Sequence, residues 1–140
     1  MNTNKFILAG IAGGVVFFFV GYLAYGVLLT NFSMAHAGPV KNVARDPDKI
    51  LFLYLIIGNL LYGFLFAYIF SKAGIATVTK GAVIGAIIGF LISASYGLIE
   101  YSTSWLTSRT VVLVDAVAFA IISAIAGAVI AWIAGMGKKR

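Results

Sequence analysis

Four long apolar runs, separated by shorter polar stretches, organise the chain: Phe6 to Leu29, Ile50 to Ser71, Gly81 to Tyr101 and Val111 to Ala134. Each is about 20 residues or longer, the length an α-helix needs to cross a hydrocarbon core roughly 30 Å thick. None alternates apolar with polar residues, and all are too long for barrel strands. An isolated strand in lipid would leave its N–H and C=O groups unpaired, so helices are the predicted form. The first run carries no charge and follows Lys5. A secretory signal has a similar layout, and Ala35-His36-Ala37 imitates a cleavage site. A signal's apolar region is only about 7–15 residues, however, so this run is read as a retained span. Asp46 and Pro47, just before the second run, suit an N-cap and a first helical position. Thr77 or Thr79 would open the third. The pattern thus predicts an all-α integral membrane protein: a single domain over 1–140, folded as a four-transmembrane-helix, up-down-up-down bundle.

Small residues add a packing code. Gly81, Gly85, Gly89, Ser93 and Gly97 recur every fourth residue along the third run. In lipid there is no hydrophobic force between helices, so such a stripe works by letting a second backbone approach closely and gain dispersion contacts. The fourth run repeats the device with Ser123, Gly127, Ala131 and Gly135, and again with Ala116, Ala120, Ala124 and Ala128. Two stripes on one helix suit neighbours on two sides, which predicts a homo-oligomer or a larger membrane complex. The halves of the chain also resemble one another. Gly10, Gly14, Tyr25 and Gly26 match Gly81, Gly85, Tyr96 and Gly97 at one offset; Asn59, Gly63, Ala67 and Tyr68 match Ser123, Gly127, Ala131 and Trp132 at another. Read this way, the bundle is two helical-hairpin repeats running parallel, related by an axis along the membrane normal.

Composition narrows the functional classes. Hydrophobic residues make up 62% and charged residues 10%, against about 25% charge in a soluble domain, so the lipid bilayer is the principal partner. The net charge of +6 is scattered between apolar runs and forms no nucleic-acid stripe. Its one tight cluster, Lys138-Lys139-Arg140, reads as a topology anchor. Lys5, Lys72, Lys80 and this tail fall at one end of the bundle; Lys41, Arg45, Lys49 and Arg109 fall at the other. The larger basic count predicts that both termini are cytoplasmic. With no cysteine, thiolate metal sites, disulfides and c-type haem attachment are excluded. His36 is the only histidine and sits in the longest loop. No nucleophile, base and orienter set can be assembled around it, and no metal, cofactor or catalytic residue is expected.

The polar residues inside the runs carry whatever chemistry there is. Asp115 lies about one turn inside the fourth run, Glu100 at the matching end of the third, and an intramembrane acid is costly enough to count as a functional candidate. Arg109, between them, is a candidate ion-pair partner for either. Asn59 falls near mid-membrane, where an interhelical hydrogen bond is its commonest role. Tyr62 lies one turn further on nearly the same face. Asn59, Tyr62, Glu100 and Asp115 are therefore the candidate ligand or ion pathway.

The segment Tyr22 to Gly26 closing the first span, the following loop, the stretch Gly89-Phe90-Leu91 to Glu100-Tyr101, and Leu113-Val114-Asp115-Ala116 onward to Gly127-Ala128-Val129-Ile130-Ala131-Trp132 together resemble the bacterial four-span proteins of domain-of-unknown-function family 1761. In that pattern an Asn is expected where Asp115 stands, and the aromatic-Ser-Pro after the first span is missing here. The resemblance implies a four-span fold and a bacterial inner-membrane address, and no particular activity. The expected function is binding or transport of a small solute or ion. The alternative is a non-catalytic accessory or scaffold subunit of a larger complex.

Overall fold

The computed structural model describes residues 1–137; the tail Lys138-Lys139-Arg140 lies outside the described residues. Helix α1 (Thr3–Gly21) starts at Asn2, whose side-chain oxygen accepts from the Lys5 N–H at 3.0 Å. It continues without a break into a π-helical segment, Tyr22–Leu28. The widened turn is visible in the Leu29 N–H, which donates to the Ala24 carbonyl five residues back at 2.8 Å. A short helix α2 (Thr30–His36) follows where only a loop was expected. Helices α3 (Phe52–Ala73), α4 (Val78–Thr103) and α5 (Arg109–Gly135) complete the fold. Gly74 ends α3 at φ 66°, a left-handed conformation that costs a residue without Cβ little, and the Ile75 N–H closes back on the Phe70 carbonyl.

Four of these helices, Thr3–Leu28, Phe52–Ala73, Val78–Thr103 and Arg109–Gly135, are long and apolar enough to cross a membrane. They match the four expected spans to within two residues at the ends that fall short. The second begins later than expected because Asp46 and Pro47 build a separate 3-10 turn, Pro47–Lys49, and do not cap α3. Lys49 secures that turn twice, by its N–H to the Asp46 carbonyl at 2.8 Å and by its ammonium to the Asp46 carboxylate at 2.7 Å. Thr77 occupies the N-cap of α4 but makes no side-chain capping bond.

The four long helices form two antiparallel hairpins, α1 with α3 and α4 with α5, joined because α5 also packs on α1 and less extensively on α3. Glycine sets the spacing in both. A Cβ on Gly63 would run into the backbone of Gly10 and Gly14; one on Gly127 would run into that of Gly81 and Gly85. The residues paired by the sequence duplication therefore make the same contact in each hairpin. Between the hairpins, Gly13 receives Ile130, and Phe17 is buried beneath Phe66 (ring centroids 5.1 Å apart), Tyr62 (5.6 Å) and Phe119 (5.9 Å). Ile122, Ile130, Phe66 and Phe70 complete a core with no charged member.

The hairpins differ at the end carrying the long loop. The second stays closed there: Gly97 lies against Val112, and Val112 and Ala116 are buried. The first opens. Residues 51 to 57 of α3 and its approach are exposed on every side, as is most of the π-helical segment, and Gly21 and Gly58 have no neighbour within 4 Å of an added Cβ.

A candidate polar site at the loop end

Asp115 sits on α5 six residues beyond Arg109, roughly 9 Å along the axis, and is half-buried. The chain direction of α4 brings Glu100 to the same end, also half-buried and within electrostatic reach of Asp115. From the first hairpin, Tyr25 in the π-helical segment extends its hydroxyl to the Asp115 backbone carbonyl at 3.5 Å. That hydroxyl lies within electrostatic reach of both Asp115 and Tyr62. The site is thus two carboxylates from one hairpin and two phenols from the other, gathered where the hairpins meet.

Neither carboxylate receives a hydrogen bond or a cation among the described residues, where the one ion pair is Lys49–Asp46. The expected partnership with Arg109 is corrected. Its Nε donates to the Tyr101 hydroxyl at 2.9 Å and its guanidinium carbon lies 5.8 Å from the Tyr101 ring centroid. A planar cation at the first turn of α5 finds this hydroxyl and π face at the surface, whereas Asp115 lies deeper along the helix. Glu100 and Asp115 therefore lie near one another without that cation.

Asn59 does not join the site. Its amide donates to the Leu55 carbonyl at 2.8 Å, within its own helix, so the expected interhelical bond is absent; its backbone carbonyl instead faces Gly14. A short polar side chain that can reach back one turn satisfies itself there without a partner helix. Tyr62 packs its ring on Phe17 and Phe119 (5.2 Å from the latter), serving the core as well as the site. His36 stacks on Phe32 at 4.3 Å with Nδ1 3.0 Å from the Phe32 carbonyl, and no group of three His, Asp or Glu side chains converges among the described residues.

Two shallow hollows lie away from these residues. A groove of about 200 Å³ between α1 and α3 is lined by Gly14, Val15, Phe18, Phe19, Ile56 and Leu60; a pocket of about 20 Å³ sits near Met1 and Ala134. At the seam of α4 and α5, Ser123 is fully buried and its hydroxyl has no hydrogen-bond partner. Gly81, Gly85 and Gly89 all press on this seam, so the expected stripe faces the bundle's own interior. Ser93 is half-buried along the same helix.

Tyr25 is the member of the site that sequence reasoning did not single out. It lies in a π-helical turn that no residue pattern announces. No family model, curated protein or solved structure matches this chain, so the reading of the site rests on its geometry.

Proposed function

We propose that this multi-pass membrane protein binds a small cation or a small cationic solute at its loop end, with Glu100 and Asp115 as the charged ligands and Tyr25 and Tyr62 as flanking hydroxyls. The observation that carries the reading is the pair of half-buried carboxylates near one another with no cation of their own among the described residues, Arg109 being engaged by Tyr101. Keeping such a pair beside lipid is costly unless something positive compensates it. The proposal is one of binding, with no chemical step: the seams of the bundle are closed by glycine-to-backbone contact. The basic residues Lys5, Lys72 and Lys80 support an orientation with the termini in the cytoplasm and the site facing out, in the bacterial inner membrane that the resemblance to family 1761 implies.

Trp105, exposed in the connection between α4 and α5, offers a built-in reporter. Reconstituted in nanodiscs and titrated with sodium, potassium, calcium or tetramethylammonium, the wild type should show a saturable change in fluorescence and a raised melting temperature with at least one of them. Asp115→Asn and Glu100→Gln keep shape and lose charge, so each should abolish the response while the ligand-free protein still folds. A response that survives both substitutions, or none in the wild type, would refute the proposal. The second reading, a scaffold or accessory subunit, is favoured by a different feature: the exposed loop-end half of the first hairpin.

A further inference from the structure

The chain leaving α1 does not return directly to α3. It first crosses the loop end to the second hairpin, as a strap made of the π-helical segment, Leu29, α2 and the residues up to Gly38. One pin holds the strap at Asp115, whose backbone carbonyl accepts from the Tyr25 hydroxyl at 3.5 Å. A second holds it at the connection between α4 and α5. There the Ser108 hydroxyl donates to the His36 carbonyl at 2.5 Å, and the Gly38 N–H donates to the Leu106 carbonyl at 3.3 Å. Gly38 lies so close to the Trp105 carbonyl that an added Cβ would collide with it. Ser108, the N-cap of α5, and Asp115 are two turns apart, roughly 10 Å along the axis, and α2 touches α5. The strap is therefore pinned at both ends of the stretch of α5 that carries Asp115.

We propose that the strap from Thr30 to Gly38 is a lid on the carboxylate pair, lifting to admit and release the cation; the inference rests on the binding reading above. Helix α2 has no buried residue, so lifting it uncovers no core. The helices beneath are closed by glycine-to-backbone contact and part only by losing those contacts. Leu29, at φ −101° and ψ −1°, belongs to neither the π-helical segment nor α2 and forms the joint between them. Beyond the joint, the His36 ring stacks on Phe32 at 4.3 Å, which lets α2 move as one piece. Across it, the Thr30 hydroxyl donates to the Tyr25 carbonyl at 2.8 Å, so a displacement of the lid reaches the residue that touches Asp115. π-Helical turns are rare and recur at functional sites. Here the turn places Tyr25 at the site and the lid's joint directly after it.

The chain has no cysteine, so an introduced thiol is the only one present. Val111→Cys puts it one turn before Asp115 on the same face of α5. In nanodiscs, its labelling by a trimethylammonium thiosulfonate reports how often the lid is up, whether or not any cation binds there. Gly38→Val drives the strap off Trp105 and should raise the labelling rate about tenfold, the weight of one or two net hydrogen bonds. Ser123→Cys, in the buried seam, should stay unlabelled in the same background. Equal Val111→Cys rates with and without Gly38→Val overturn the lid, and so does labelling of both thiols, which would report general loosening. A lock supplies the second arm. The Ser108 and Gly38 bonds flank Ala37 and Thr107, which lie opposite one another like a non-hydrogen-bonded antiparallel pair, within disulfide range. Oxidising Ala37→Cys/Thr107→Cys should slow the cation response of Trp105 fluorescence by at least about tenfold, with reductant restoring it. A response as fast oxidised as reduced overturns the gating. A wild type silent to every cation would remove the binding reading instead, and the labelling comparison would then decide the lid by itself.

Discussion

Replacing Gly89 with alanine tests the seam of α4 and α5 with a single methyl group. Helix propensity alone favours the change, by about 1 kcal/mol in a water-exposed helix. Packing opposes it. The new Cβ would lie 2.9 Å from the Phe119 carbonyl oxygen and closer still to the Cβ and Oγ of Ser123. The hydroxyl could rotate away, but the carbonyl and the Ser123 Cβ belong to a neighbouring helix fixed by the Gly81, Gly85 and Gly127 contacts. Relief therefore requires the helices to part locally. Parting by 0.5–1 Å forfeits roughly a quarter to a half of each nearby dispersion contact, and overpacking of this kind typically costs about 1–3 kcal/mol. The net expectation is destabilisation of up to about 2 kcal/mol after the propensity gain is subtracted. Gly58→Ala is the matched control, because a Cβ there meets nothing within 4 Å and only the propensity term remains. Melting of both variants in one detergent should move Gly89→Ala down and Gly58→Ala level or up. Equal shifts in the same direction would refute the reasoning, since the two sites would then differ in nothing that matters.

Other expectations follow from single contacts. Ser123→Ala removes a buried hydroxyl without a partner and should hold or raise stability by up to about 1 kcal/mol, read by the same melts. Phe17→Ala empties the centre of the aromatic cluster and should cost about 3–5 kcal/mol, enough to lower the yield of folded protein on extraction. Tyr101→Phe removes the hydroxyl that holds Arg109 at an exposed position and should change stability by less than about 0.5 kcal/mol. If the freed guanidinium then pairs with Glu100, cation binding at the proposed site should weaken, which the fluorescence titration would register.

The sequence announced what the membrane itself dictates. Spans are legible because lipid tolerates only helices of a fixed minimum length, and the stripe Gly81-Gly85-Gly89 is legible because four-residue spacing puts its members on one face. The match of Gly10, Gly14 and Gly63 to Gly81, Gly85 and Gly127 anticipated a shared contact. What stayed hidden depends on competition between neighbours. Asn59 had an acceptor four residues back as well as across the bundle, and Arg109 had a phenol as well as two acids; residue type alone does not rank such choices. The π-helical turn that brings Tyr25 to Asp115 has no residue signature of its own in an apolar run. Periodicity could not have shown that the loop-end halves of α1 and α3 part, since both are apolar on every face whether covered by protein or by lipid.

Helix α5 is the member of the second hairpin that packs on the first, and it comes last of the five α-helices in chain order among the described residues. A chain entering the membrane from its N-terminus can assemble α1 with α3 early, since the glycine contacts of that pair lie within it. Ile130 and Phe119, which complete the surroundings of Phe17, arrive only when the final helix does. Until then the nascent protein carries an unfinished aromatic surface through most of its synthesis. Interruption before Arg109 would therefore leave an inserted but incomplete intermediate, open to capture by membrane chaperones or to degradation. The order of elements along the polypeptide thus leaves the surroundings of Phe17 incomplete until the last of these helices is delivered.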